Sequence, residues 1–386
     1  MADTADVVIV GGGVVGASIA YHLAEAGCAN VVVLEREPYL GRGSTGKSMG
    51  GVRAQFSTEI NIRLSLYALD FFARFEEATG CPAGYRPQGY LFVATSENHM
   101  VYLRTNYQLQ AACGVKTAEL LTPAEVLHRM PHLRSDDILG GSFSCTDGFV
   151  DPYSVMTGFM QRALGKGVRL WKGAEATAIR RDAQGIAGVD TTRGAVSARR
   201  VVNAAGAWAA HVAALAGVDL PVEPLRRMLV PTEPFPFIAR EAPMTIDMAT
   251  GFHFRPEGLG LLLAWNDPEE TPGFKTQFDP AFVEKILLRA VDRVPCFEAL
   301  EVNPKRAWAG LYEMTPDHYP ILGPVPEVPG LYLANGFSGH GVMHSPATGR
   351  VLADLILRGH TGLIDAHALG LARFAEGRLI HETAVL

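Results

Sequence analysis

Residues 7 to 16 read VVIVGGGVVG: four apolar residues, then glycines at positions 11, 13 and 16, then a helix-like run, ASIAYHLAEAG. A continuous apolar run of this length suits a strand buried on both faces of a parallel sheet. Gly11 permits a tight turn, Gly13 lets the backbone approach a bound pyrophosphate, and Gly16 lets helix and strand pack closely. The helix start at Val14 and Val15 offers free N–H groups and a partial positive charge to phosphate. NVVVLE then supplies a second buried strand ending at Glu35, followed by Arg36. A carboxylate there can accept hydrogen bonds from a ribose and disfavours the 2′-phosphate of NADP. Together these form a βαβ dinucleotide-binding unit.

At 386 residues the chain is long enough for two domains, and its 48% apolar content supplies a substantial core. A formal charge of -6 gives no basic footprint for nucleic acid or an anionic membrane. The five cysteines include no C-x-x-C pair, which argues against a metal or iron–sulfur centre and fits reduced thiols. The acidic start, MADTAD, runs straight into the first strand, and no apolar run reaches the roughly 18 residues of a membrane span. The expectation is a soluble, cytoplasmic protein without a transmembrane segment.

Ile60, Leu64, Tyr67, Phe71 and Phe75 step by three or four and predict one long helix from Thr58 to Thr79. Thr122-Pro-Ala-Glu125 and Asp151-Pro152 read as helix starts. From Ala176 to Asn203, short strands and turns predict a meander, followed by a buried strand ending NAAG. GFHFRPEGLGLLLAW predicts an antiparallel hairpin, and DPAFVEKILLRAVDRV a helix.

Three features favour FAD over NAD. Gly43, Ser44, Thr45 and Ser48, with Gly50 and Gly51 beyond them, can offer hydroxyls and N–H groups to a pyrophosphate. Ala204, Ala205 and Gly206, with Trp208 close behind, end a late strand where backbone must pass near a ligand. The C-terminal NGFSGHGVMHSP holds Gly339, His340, Gly341, Val342 and Met343 in a glycine-rich turn that an NAD domain does not need. No second Gly-x-Gly-x-x-Gly follows a strand, so the flavin is expected to be reduced by an organic substrate.

GGGVVGASIAYHLAEAG…VVVLER, GSTGKSMGGVRAQF, VVNAAGAWA and GLYEMTPDHYPILGPVPEVPGLYLANGFSGHGVMHSPATGRVLADLI resemble the D-amino-acid-oxidase-type flavoproteins. The STGKSMGGVRAQFS stretch is most similar to the branch with sarcosine oxidase and proline or hydroxyproline dehydrogenase β subunits and FAD-dependent oxidoreductase-domain proteins. The resemblance spans almost the whole chain. It implies an α/β fold: a Rossmann-like FAD-binding domain built from discontinuous segments, plus a substrate domain with a mostly antiparallel mixed sheet. The implied segments are 1–80, 146–218 and 309–386 for FAD, and 81–145 and 219–308 for substrate. Ala176 and Gly310 would join the cofactor-binding set. The C-terminal turn would arch over the flavin, and a helix starting at Ser345-Pro346 would aim its N-terminus at the pyrimidine end. His340 would add a donor or positive charge there, or would simply stabilise the loop.

Relatives that attach flavin through cysteine carry it where this chain has Gly310, and GSTGKSMGG has no histidine for the link seen in dimethylglycine dehydrogenase. The resemblance therefore implies noncovalent FAD. Leu262 falls where oxidases place a lysine that helps reduce oxygen, and Met343 where they hold substrate carboxylate. This implies an electron-accepting partner subunit or carrier in place of oxygen.

An amino-acid-like substrate needs a carboxylate anchor and a dry face over the ring. Arg53 is the first candidate anchor, since guanidinium pairs a carboxylate in a planar fork; a surface or flavin-phosphate role is the alternative. His253 and Arg255 share a face of the hairpin, Arg255 near its turn and open to a solvated role. Tyr312 falls where glycine oxidases place an arginine anchor, and can touch substrate or serve the core. The leading expectation is oxidation of the C–N bond of a secondary or N-methylated amino acid such as sarcosine or proline. Oxidation of a 2-hydroxy acid and a flavin-bound assembly or scaffold role are the alternatives.

Overall fold

A computed structural model of the chain describes residues 3–380. Its organising layer is a six-stranded sheet drawn from distant parts of the sequence. In order across the sheet the strands are Ile321–Pro324, Leu331–Asn335, Val201–Asn203, Val7–Val10, Val31–Glu35 and Arg169–Lys172. All pair in parallel except Ile321–Pro324. The VVIV and VVVL runs are buried because helices cover one face of this sheet and the meander the other. The Val14–Glu25 helix packs between the Pro152–Gly165 and Gly341–Arg358 helices.

An eight-stranded sheet forms the second layer. It runs Trp308–Met314, Glu223–Pro231, Gly260–Ala264, His253–Glu257, Met244–Asp247, Tyr90–Ala94, Gly140–Ser144, Ala118–Leu121. Only the Met244–Asp247/Tyr90–Ala94 pair is parallel. The predicted hairpin is its centre, with His253 opposite Ala264. The predicted meander forms a four-stranded sheet with Asp3–Thr4. The capping box at Thr122 and the Asp151–Pro152 helix start both form, the Asp151 side chain accepting from Ser154 N–H. Among the described residues no helix is long and apolar enough to cross a membrane.

Two local expectations are corrected. The Thr58–Thr79 segment is not one helix: Arg74 leaves helical geometry at φ -115°, ψ 17°, separating Glu59–Ala73 from Phe75–Thr79. The C-terminal helix starts at Gly341, four residues before the expected Ser345, and carries Pro346 inside it. Pro346 has no N–H to give the Val342 carbonyl, and the Ser345 hydroxyl donates to that carbonyl instead, at 2.8 Å. That substitution lets the helix run on through proline.

Candidate active site

Between the two large sheets lies a cavity of about 460 Å³, running from the Gly11 turn to the inner face of the eight-stranded sheet. It is lined by every residue proposed above for cofactor or substrate except Gly16, Arg255 and Leu262. Gly16 acts from beneath: a Cβ there would sit 1.9 Å from the Gly11 carbonyl oxygen, so glycine is needed for helix and turn to meet. Leu262 and Arg255 share the inner face with His253, but the Met49 segment lies over them. Leu262 packs in an apolar patch with Met49 and Trp308, and Arg255 Nε donates to the Met49 carbonyl at 2.9 Å. Among the described residues the only lysine on the cavity wall is Lys47, from the loop after the second strand.

The nucleotide end is built by backbone. Gly11 has φ +114°, and a Cβ there would lie 2.2 Å from the Ala204 carbonyl oxygen, so the VVIV and VVNAA strand ends can approach only through glycine. Thr45 does not simply face a ligand: its Oγ1 accepts from Val14 N–H at 3.0 Å and so caps the first helix. Ser44 likewise donates to the Leu311 carbonyl (2.6 Å), and Ser48 accepts from Gly50 N–H (3.1 Å). Glu35 accepts from Gly12 and Glu37 N–H at 3.0 and 2.8 Å, while burial raises its pKa. The Arg36 guanidinium lies 4.3 Å over the Trp208 ring, which stacks on Phe274 at 5.5 Å.

At the other end, alternation along the strands puts Gly310 and Tyr312 on the same face as Arg227, which pairs opposite Gly310. Leu229, Ala264 and His253 continue that face across the sheet. His253 Nδ1 donates to the Gly251 carbonyl at 2.9 Å, which leaves Nε2 as the unprotonated nitrogen. Burial pushes the His253 pKa down to about 4, helped by the Arg53 and Arg227 charges, so the ring is neutral.

Arg53 is 3% exposed, and its guanidinium lies 4.5 Å over the Phe56 ring and 5.6 and 5.8 Å from those of Phe92 and Tyr90. The segment after it is pinned by the buried Asp147, which accepts from Ala54 N–H (2.9 Å) and Gln55 Nε2 (3.0 Å). The surface role considered for Arg53 is therefore excluded. His340 rests edge-on against Phe56 at 5.2 Å. Burial drives its pKa to about 3, so it brings no positive charge, contrary to one of its expected roles.

The lining residues not singled out from the sequence include Arg227, Asn266 and Glu313. The signal for Arg227 was the adjacent pair Arg226-Arg227 in LRRMLVP, one of which strand alternation must turn to the inner face. Glu313 accepts from Gly336 N–H at 3.0 Å, yet burial raises its pKa to about 7. Nothing in the spacing of GLYEMTPD marks that carboxyl.

Residues 6–355 match the FAD dependent oxidoreductase family designated DAO, and the chain belongs to that family. It is 34% identical to FAD-dependent oxidoreductase domain-containing protein 1 of Xenopus laevis, over 96% of this chain and 83% of that protein. Rat mitochondrial dimethylglycine dehydrogenase is 32% identical over 92% of this chain, which spans 43% of that longer protein. Among solved structures, L-proline dehydrogenase from P. horikoshii is similar at 30% identity and TM-score 0.91, over 98% of this chain and 100% of the other. Glycine oxidase from Geobacillus kaustophilus is 29% identical with a TM-score of 0.84.

The residues present fit the family's cofactor. The cradle at Gly11 is a space a Cβ would fill, and helix geometry leaves the Gly341, Val342 and Met343 N–H groups without an intrahelical partner at the cavity wall.

Proposed function

We propose that the chain oxidises the C–N bond of a secondary or N-methylated amino acid, sarcosine- or proline-like, using noncovalently held FAD. Segments 1–80, 146–218 and 309–386 would serve the cofactor, and 81–145 and 219–308 the substrate. The observation that carries the reading is one cavity face holding a neutral imidazole, His253, beside the buried Arg53, opposite a glycine-built nucleotide cradle.

FAD, when bound, supplies the hydride acceptor. The Gly11–Gly13 turn and the Val14–Glu25 helix start would hold its pyrophosphate, and Glu35 a ribose. The N-terminus of the Gly341–Arg358 helix would face its electron-rich end. Arg53 binds the substrate carboxylate in a planar fork. The substrate binds as the neutral amine, its ammonium proton lost to solvent. The Arg53 and Arg227 charges disfavour a cation there. His253 Nε2 accepts a hydrogen bond from the substrate N–H, leaving the nitrogen lone pair free for the α-carbon to lose hydride. Tyr312 closes the pocket beside it, and the apolar walls at Leu229 and Ala264 exclude water.

Among the described residues no cysteine lines the cavity, and Gly310 offers no nucleophile, which supports noncovalent attachment. The sequence resemblance sets Leu262, not lysine, at the position associated with oxygen reduction, but in the fold Leu262 lies off the cavity beneath Met49. A separate electron-accepting subunit or carrier is therefore supported by the resemblance alone. A cytoplasmic location goes with the reduced thiols. The test is anaerobic: the yellow holoprotein is mixed with sarcosine, proline, other amino acids and lactate while flavin absorbance is followed. Bleaching by secondary amines supports the reading. Bleaching by lactate alone replaces it with hydroxy-acid oxidation, and no bleaching at all refutes both.

A further inference from the structure

Arg227 is a half-buried cation whose Nε is fully buried and unpartnered. Its neighbour Arg226 points to the opposite face and pairs with Glu270 at 2.7 Å. Arg227, on the cavity face, has no carboxylate within salt-bridge distance among the described residues. Its Nε is buried without a hydrogen-bond partner, and its one hydrogen bond is a 3.4 Å contact from Nη1 to the Arg226 carbonyl. It faces the Tyr312 ring, 5.4 Å away, and the Glu270 and Asp267 carboxylates act on it only from beyond salt-bridge distance. Burying a guanidinium is expensive unless something of opposite charge accompanies it.

Among the described residues, no acid on the cavity wall fills that role. Glu35 is committed to the Gly12 turn and Glu37 to Arg36, both at the nucleotide end. Glu175 lies there too, its N–H bonded to the Thr192 hydroxyl at 3.1 Å and the preceding Ala174 N–H bonded to the Glu35 carbonyl at 2.8 Å. Glu313 alternates away from Tyr312 on its strand and binds Gly336 N–H.

The sheet also fixes where this charge sits relative to Arg53. The Glu223–Pro231 strand that carries Arg227 and the Tyr90–Ala94 strand beneath Arg53 are four places apart in the sheet. At roughly 4.8 Å per strand this is about 19 Å of backbone. Both charges act on His253, whose strand lies between theirs, and both act on Tyr312, on the edge strand beyond Arg227. A cation at each end of one pocket suits a ligand with an anion at each end.

We propose that Arg227 is a second carboxylate anchor, so that the preferred substrate is a dicarboxylic secondary amine. An N-methyl amino dicarboxylic acid and an N-(carboxyalkyl) amino acid both meet that description. One carboxylate binds Arg53, the other binds Arg227, and the C–N bond to be oxidised lies between them beside His253. This rests on the amine-oxidation reading above, with Arg53 as first anchor.

The experiment uses holoprotein and inert probes. Acetate and methoxyacetate are compared with succinate, glutarate and adipate by titrating the flavin absorbance change in wild type, Arg227→Gln and Arg227→Lys. At least one dicarboxylate should bind wild type tenfold or more tighter than the monocarboxylates. Arg227→Gln should erase that preference while leaving monocarboxylate affinity within about twofold, and Arg227→Lys should keep part of it. Equal weakening of both ligand classes, no change in either, or loss of bound FAD in both variants would overturn the assignment. Anaerobic bleaching by sarcosine and by N-methylglutamate, followed alongside, separates the two readings. Bleaching without dicarboxylate preference sinks Arg227 alone. A dicarboxylate preference lost in Arg227→Gln, with no amine able to bleach the flavin, sinks the amine chemistry alone.

Discussion

Glu313 gives a quantitative handle on the cavity through the pH dependence of stability. Its carboxyl is buried on the cavity wall, with Gly336 N–H at 3.0 Å as its short contact, and burial moves its pKa from 4.5 to about 7. A carboxyl with a raised folded-state pKa stabilises the fold most when protonated. Its contribution is fully present below the unfolded value near 4.5 and is lost as pH rises through the folded value near 7. At about 1.4 kcal/mol per pH unit, ionising Glu313 in the fold costs about 3 kcal/mol, an order-of-magnitude figure. Glu313→Gln keeps a carbonyl to accept from Gly336 and cannot ionise. The assay is urea unfolding of holoprotein, wild type against Glu313→Gln, at pH steps from 5 to 8. The variant should gain on wild type steadily through this window, and the gain should level off above pH 7 to 8. A difference that is flat with pH, or that shrinks as pH rises, would show that the carboxyl is not desolvated and refute the reasoning.

Gly339→Ala places a Cβ 2.5 Å from the Tyr312 ring at φ +101°, a strained conformation costing roughly 1–3 kcal/mol before any clash. FAD affinity, measured by fluorescence quenching, should fall tenfold or more; unchanged affinity would mean the turn does not touch the cofactor. Arg53→Gln should lower the rate constant for flavin reduction divided by substrate Kd by roughly 30- to 1000-fold, from lost charge-assisted bonds worth about 2–4 kcal/mol. Arg53→Lys should recover part of it, and a stopped-flow series in which Gln matches wild type would remove Arg53 as anchor. Acid precipitation should leave a yellow supernatant and a colourless pellet, whereas a yellow pellet would reveal a covalent flavin bond.

Much of the cofactor end was legible because it depends on local backbone demands. A strand buried on both faces must be apolar throughout, a turn at φ +114° must be glycine, and the two lie side by side in the sequence. The hairpin and the meander were legible for a similar reason, since glycine turns separate strands that pair with their neighbours. Helix boundaries were less so. Pro346 reads as a helix start, but a hydroxyl one residue earlier stands in for its missing N–H, and that depends on where Ser345 points.

The substrate end divides along the same line. Sequence alone determined that His253 lies on the roof hairpin, because period-two alternation is written into GFHFRPEGLGLLLAW. Pairing decided the rest. Arg227 reaches the cavity because its strand pairs with Trp308–Met314 in a register that sets it opposite Gly310. Shifting that register by one residue would turn Arg226 inward instead. Leu262 and Arg255 share the face of His253, yet Met49, some 200 residues earlier, covers them. Local pattern fixes which way a side chain faces within its own strand. Only the tertiary fold decides what lies on the other side, and hence whether a buried charge meets a partner or waits for a ligand.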